Sequence, residues 1–512
     1  MRARTAGPTL VLGAVVLGVL GAECAGPAGA VPAMALAGGA TLAAAWCAAS
    51  ARGRLALALG LVASVAAGGA VMARALDGLA HSPLTGPVLR RADARADVTL
   101  TADPDATRFA SHTLGRVDRA DLSGGRTVGG GRIVVVEGSG DAAARLAVLH
   151  AGDRVRLRGY FRPLGPFEAR SRWKHAVGGF VAHEVVDVWS PGSPLLWLAN
   201  WLRARVLAGH RHVPEPQRAL LAGFLLGDTV DLPPSVVEDF RAAGLSHLVA
   251  VSGQNVAFVL ALAGPMLRRG PRLVRLGGGL AVLVVFAAMT RFEPSVLRAS
   301  TMAACSMAAV AVGRPTAGLR TLTLAATVLL LADPFLVHSV GFQLSCAASA
   351  GIALLGPSVA ALVPGPRPLA EAVGVTVGAQ AAVAPLLLTV FGGVPLVSVP
   401  ANLVVAPVAG PLTVLGLVGG VVGGIGSDLL GAVATFPAFL CASVVLRVAA
   451  WAAAVPAVLG PNSLVAALIA ALIVVSIVAL GAGAFAAWRR RRATWSRARP
   501  RPPRPRVAVP PR

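Results

Sequence analysis

The chain has 512 residues, 55% apolar and 13% charged, with a mean hydropathy of +0.72, so it cannot fold around one aqueous core and its main solvent is lipid. Much of the net charge of +23 falls in short loops and in segment 489–512, where arginine sets membrane topology rather than marking a nucleic-acid surface. Lys174 is the only lysine; His175 follows it and no glycine-rich loop precedes it, so no Walker A phosphate loop forms and transport driven by this chain's own ATP hydrolysis is disfavoured.

Apolar runs at 9–22, 31–49 and 55–72 predict three membrane helices, with Arg2, Arg4, Arg52 and Arg54 on the cytoplasmic side. That places 77–191 outside. The character changes there: β-branched or alternating runs at 97–101, 132–137, 153–161 and 179–189, punctuated by Gly, Pro and Asp, predict a small barrel or sandwich. Trp197, Leu198, Trp201 and Leu202 then recur at helical spacing opposite Asn200 and Arg203, as in a helix lying in the outer headgroup layer.

Segment 218–226 is too short to cross and stops at Gly227-Asp228, which predicts a re-entrant or surface hairpin. Ser235 and Glu238 read as a capping box for a short helix closed by Gly244. Further spans are predicted at 245–267, 273–289, 296–312, 319–331, 336–355, 370–389, about 397–422, 429–449 and 464–488. The expected fold is a polytopic α-helical membrane protein of about 10–12 spans, with both termini cytoplasmic. Pro385, Pro400, Pro407 and Pro411 are expected to break the helices around them, and the region around the last three reads equally as one span or as a broken or re-entrant pair. The expected divisions are a three-helix segment (1–76), an outer β domain (77–191), a multi-span domain (192–488) and a basic, disordered cytoplasmic tail (489–512).

Polar residues inside spans mark aqueous paths or interhelical bonds. His247, Ser252, Gln254 and Asn255 fall within about 160° of one helical face. With Asp228, Gln343 and its neighbour Ser345, Gln380 and Asn402 they are candidates for a conduit. Arg298 is a further candidate, expected to snorkel to the outer interface near Glu293. In the β domain, Arg154, Arg156, Arg158, Tyr160, Phe161, Arg162, Arg170, Arg172 and Trp173 lie close in sequence, as in a groove that binds a single strand through charge and stacking; a solvated sheet edge explains them almost as well. Gly138, Gly140 and Ala143 imitate a dinucleotide fingerprint without a second βαβ unit, and His210 and His212 lack further ligands. The five cysteines read as apolar packers. No catalytic residues, cofactor or metal are expected.

The stretches GLSHLVAVSGQN, RFEPSVLRASTM, ADPFLVHSVGFQLS and PANLVVAPV, taken in order with Gly227-Asp228, Gln380, Pro385 and Phe391-Gly392, resemble the ComEC/Rec2 family of competence proteins. The resemblance runs from Gln217 to about Pro411. It implies an OB-like outer domain and a channel conducting single-stranded DNA across the cytoplasmic membrane, with a separate receptor, nuclease and cytoplasmic motor as partners. The family's motif positions fall on Gly227, Asp228, Gly244, His247, Ser252, Gly253, Asn255, Arg298, Asp333, Pro334, Gln343 and Asn402. Gln254 stands where the family more often has an apolar residue. The metallo-β-lactamase-like domain of many relatives has no counterpart in this sequence, so nuclease activity is not carried over. The alternatives are transport of another cargo, an outer-domain hydrolase, and a scaffold that anchors an uptake apparatus.

Overall fold

A computed structural model describes residues 3–26, 30–49, 53–106, 110–249, 251–314, 317–455 and 458–459. The predicted span at 464–488 and the tail lie outside them. The chain opens with helices α1 (Ala3–Ala25), α2 (Ala30–Ala49) and α3 (Gly53–Ala80), the last two joined through 50–52 and α3 followed by the short α4 (Thr85–Leu89).

Residues 93–189 fold as β1 (Asp93–Leu100), β2 (Asp105–Ala106), β3 (Ala110–Leu122), β4 (Thr127–Ser139), α5 (Asp141–Ala147), β5 (Arg154–Arg162) and β6 (Ala176–Trp189). Strands pair in the order β1-β5-β6-β4-β3, and β3 returns to pair with β1, closing a barrel; β2 is added to β3. The β4–β6 pair is parallel and the others antiparallel. A five-stranded Greek-key barrel with a helix between its third and fourth strands is consistent with an OB-like domain. Alternation fills it: Val98, Val136, Val155, Leu157, Phe161 and Phe180 point inward, with Val88 of α4 and Leu146 of α5 packed among them. All four predicted runs became strands. The sequence reading missed β3, whose charged outer face (Arg116, Asp118, Arg119, Asp121) and Gly115 hide the alternation of Val117 and Ala120.

Beyond the barrel come α6 (Pro194–Gly209), α7 (Gln217–Leu226), α8 (Pro234–Ala242), α9 (Ser246–Val249), α10 (Gly253–Leu267), α11 (Arg272–Met289), α12 (Pro294–Ala311), α13 (Gly318–Ala332), α14 (Val340–Leu354), α15 (Gly356–Ala360), α16 (Arg367–Phe391), β7 (Val394–Pro395), α17 (Ser398–Ile425), α18 (Asp428–Ala453) and β8 (Val458–Leu459). Among the described residues six helices are long and apolar enough to cross a membrane: those at Gly7–Ala25, Leu55–Ala80, Arg272–Met289, Arg367–Phe391, Ser398–Ile425 and Asp428–Ala453. That is fewer than the expected number. Helices α10, α13 and α14 are 15 residues each, or about 22 Å, short of a hydrocarbon core of about 30 Å. Outward-facing apolar stripes fit lipid: on α18, Leu429, Val433, Phe436, Leu440 and Val444 are exposed while Gly431, Thr435, Ala438, Ala442 and Val445 are buried.

Several expectations are corrected here. Pro385 lies inside continuous α16, Pro407 and Pro411 lie inside continuous α17, and Pro400 stands in the first turn of α17. A proline removes one backbone bond without ending a helix whose other bonds and packing persist, and in a first turn its missing N–H has no partner to lose. No broken pair forms. The N-cap of α8 is Pro233, so Ser235 caps nothing; Gly244 does follow that helix in the left-handed conformation, φ +69°. On α6 the buried face is Ala199, Arg203, Val206 and Gly209, and Trp197 and Trp201 are exposed. The polar side expected to face water is packed against protein, because the charge of Arg203 is matched there.

Candidate functional site

Arg203 is the hub of that match, with its side chain 5% exposed. One terminal nitrogen donates to the carbonyls of Leu226 (2.9 Å) and Met289 (2.8 Å), the ends of α7 and α11. The other meets the carboxylates of Asp103 (3.1 Å) and Asp228 (3.4 Å). Asp103, in the β1–β2 loop, also takes Arg291 Nε at 2.8 Å and the Ala151 amide at 2.9 Å. Arg291 reaches Asn200 Oδ1 at 2.7 Å, and Asn200 donates to Ala151 O at 3.0 Å. Burial pushes the Asp103 carboxyl up, but the two guanidiniums and the Ala151 amide outweigh it and hold the group below its ordinary value. Arg291 and Phe292 sit left-handed (φ 56° and 55°), a strained turn that these bonds pin in place. The sequence reading placed Asp228 on a path and did not make Arg203 a site residue; its signal was its place with Asn200 opposite the tryptophans of the same helix.

The barrel docks a second time through the loop between β5 and β6. Trp173 stacks on His338 (centroids 3.9 Å apart) and meets Phe335 edge-on, while His175 Nε2 lies 3.1 Å from Asp333 Oδ1. Asp333 also caps the turn at Pro334–His338 by accepting from the Phe335 amide at 3.0 Å. In an OB-like barrel the loops after the first and fourth strands flank the ligand face. Here the first loop rests on α6 and the turn after α11 through Asp103, and the second on the turn at Pro334–His338 through Trp173.

Of the arginines expected to bind a strand, Arg156 is held by Asp97 (2.7 Å) and Asp187 (3.6 Å). Arg162 is held by Glu137 and Glu168, both at 2.7 Å. Arg154 and Arg158 are exposed and have no carboxylate partner among the described residues, as is true of Arg170 and Arg172. Arg172 lies over the Trp173 ring. Phe161 is core. Tyr160 lies beside His183, ring centroids 5.4 Å apart. The ligand atoms of His112, Glu137 and Glu168 lie within 4.8 Å of one another, a group the sequence reading did not find. Arg162 already donates to both carboxylates, so the donor set is one in which a cation has a guanidinium to displace.

Of the conduit candidates, all but Asp228 and His247 lie on or at the start of helices whose contacts close a ring: α10 packs on α12, α12 on α14, α14 on α16, α16 on α17, and α17 on α10. Asn255 on α10 is 2% exposed; it donates to Phe224 O at 2.8 Å and accepts from Ser252 Oγ at 3.3 Å. Thr413 on α17, 3.3 Å from Asn255 Oδ1 and 2.9 Å from Ala409 O, shares its proton between them. Gln343 on α14 donates to Val337 O at 2.6 Å, and Asn402 on α17 to Ser398 O at 2.8 Å. Gln380 Nε2 on α16 and Ser300 Oγ on α12 are buried without a hydrogen-bond partner among the described residues. His247 does not share a helical face with Asn255: it sits on α9, beside Asn402, and the chain is extended at Ser252 (φ −91°, ψ 156°) before α10 begins. Arg298 on α12 does not snorkel. It is 7% exposed and donates to Ser345 Oγ at 2.7 Å, because α10 and α14 close over it.

The model of the competence protein family matches residues 224–490, a little over half of the chain. The chain belongs to the competence protein family. All of the ring helices of this competence protein lie inside the matched stretch, and the barrel lies before it. The uncharacterized protein YcaI of Escherichia coli (strain K12) is 27% identical over 228 residues, 42% of this chain and 30% of YcaI. ComE operon protein 3 of Bacillus subtilis (strain 168) is 28% identical over 215 residues, 40% of this chain and 27% of that protein. The match thus spans less than a third of either relative's length. No solved structure matches the chain.

Proposed function

We propose that this competence protein is a multi-pass protein of the cytoplasmic membrane that conducts single-stranded DNA inward during DNA uptake. The observation that supports the reading is the closed ring of contacts α10-α12-α14-α16-α17, each member of which carries at least one polar side chain. A ring of helices is how an α-helical protein keeps a polar path away from lipid. Membership of the competence family and likeness to a protein named ComE operon protein 3 point to DNA uptake as its setting. In this reading 1–76 and 192–488 form the membrane body, 77–191 the outer domain and 489–512 a cytoplasmic tail. The barrel receives the strand at Arg154 and Arg158, and its two docked loops hold it against the mouth of the ring. Without a Walker A motif the force comes from a separate motor, and a receptor and a nuclease supply the strand.

The test follows labelled DNA into the cytoplasm of a competent strain lacking the protein and complemented with wild type, Asp228→Ala or Asn255→Leu, with membrane insertion of each verified. Wild type restores import and the inserted variants do not; import unchanged by the deletion removes DNA as the cargo. A second reading, a hydrolase acting through the barrel, would rest on His112, Glu137 and Glu168. Bound metal and turnover in the purified chain would establish it.

A further inference from the structure

The charge of Arg298 has no counter-charge around it. Arg203, buried to a similar degree, meets two carboxylates. Arg298 meets only neutral groups: Ser345 Oγ takes Nε, and Met302 Sδ lies 2.9 Å from Nη1. No carboxylate of the described residues comes within 4.0 Å of it.

Its remaining nitrogen, Nη2, has no acceptor among the described residues and lies against Gly253, the first residue of α10. A Cβ at Gly253 would stand 2.6 Å from that nitrogen, so glycine is what lets the guanidinium approach the start of the helix. The N-cap Ser252 side chain accepts from none of the first backbone amides of this 15-residue helix, since its hydroxyl donates to the Asn255 side chain instead. The first amides of a helix carry partial positive charge and no intrahelical acceptor. A buried cation and a helix start without a side-chain cap therefore face the same place. Keeping a guanidinium buried without a counter-charge is costly, and such a group suits a place where an anion arrives.

We propose that Arg298 and the first turn of α10 form a binding site for a phosphate group, which in the cargo proposed above is a backbone phosphodiester. The identity of the cargo rests on that reading; the site itself does not. Arg298 lies between α10, α12 and α14 rather than on an outward apolar stripe, which favours a group travelling inside the ring over a lipid headgroup.

The full chain, purified in neutral detergent, is melted in chloride and in inorganic phosphate at matched ionic strength. Wild type gains about 2 °C or more in phosphate, Arg298→Lys gains less, and Arg298→Gln gains nothing. Gly253→Ala, which pushes the guanidinium off the helix start while keeping its charge, also loses the gain and serves if Arg298→Gln fails to fold. No gain in wild type, or an equal gain in either Arg298→Gln or Gly253→Ala, overturns the site. Adding phosphatidylglycerol to the micelles tests the headgroup source: a gain that depends on Arg298 with the lipid but not with inorganic phosphate also overturns it. Passage of a labelled oligothymidylate into liposomes then separates the two claims. If wild type shows the phosphate gain but passes no oligonucleotide, the site stands and the nucleic-acid reading falls; passage at the wild-type rate by Arg298→Gln removes the site from the path.

Discussion

The guanidinium of Arg203 and the carboxylate of Asp103, 100 residues apart in the chain, lie 3.1 Å from each other. The pair joins a loop of the barrel to a helix packed in the membrane body, and the same arginine holds the last carbonyls of α7 and α11. Arg203→Ala would leave Asp103 and Asp228 short of a cation and two carbonyls short of a donor. We expect a loss of about 3–5 kcal/mol, read as a fall in the melting temperature of the detergent-purified chain. Arg203→Met, which keeps the packing volume, should lose less than Arg203→Ala if packing contributes.

Asp103 also sets a pH dependence. Its folded pKa lies below its ordinary 3.8, so its contribution is full above that value and is lost as the pH falls through the lower folded one. Nearby Asp153 has the opposite sign: burial raises its pKa, only partly offset by the His150 amide. Its contribution is present at low pH and lost as the pH rises through that raised value. Asp103→Asn should flatten the acid limb of a stability–pH profile, and Asp153→Asn should raise stability at pH 7.

Asn255 ties α10 to the end of α7 and to α17. Asn255→Leu leaves the Phe224 carbonyl and the Thr413 hydroxyl each with one partner fewer, and should cost about 1–3 kcal/mol. Thr413→Val removes a single shared bond and should cost less. Melting of the two variants beside each other checks the order.

Helices α14 and α16 cross at glycines. A Cβ on Gly351 would fall 2.2 Å from the Gly378 carbonyl oxygen, whereas one on Gly341 meets nothing closer than 4.0 Å. Gly351→Ala should cost about 1–3 kcal/mol through overpacking. Gly341→Ala, in the first turn of the same helix, should be neutral or stabilising. Equal melting temperatures for the two would contradict the crossing.

Arg158 and Arg156 lie two residues apart on one outer strand face, and only Arg156 has carboxylate partners. If single strands bind the barrel, Arg158→Ala should reduce the slope of log affinity against log salt by about 0.7. Arg156→Ala should change it less, because its charge is spent on Asp97 and Asp187. Fluorescence anisotropy of a labelled oligothymidylate with the full chain measures both.

What was legible in the sequence was whatever depends on local pattern. Alternation of β-branched residues marked four strands, and long apolar runs marked α1, α3, α11, α16, α17 and α18. Where a local rule met tertiary packing, the rule lost. Proline inside α16 and α17 was read as a break, but a long helix survives the loss of one bond. His247 and Asn255 fit one helical wheel, yet the extended backbone at Ser252 separates them. Arg203 and Arg298 were read as surface-seeking because arginine usually is. Burial of the first depends on carboxylates in distant segments, and no spacing rule finds a partner 100 residues away.

The ring has a bearing on how the protein is made. Its first member, α10, touches its last, α17, and the bond between Asn255 and Thr413 spans 158 residues. Until the ribosome has delivered α17, the contacts of α17 with α16 and α10 that close the ring cannot form. If the ring is the proposed conduit, a nascent chain has no closed path through its own centre before that helix is in place. The same order makes α17 the helix whose late or faulty insertion leaves a complete outer barrel standing on a body that encloses nothing.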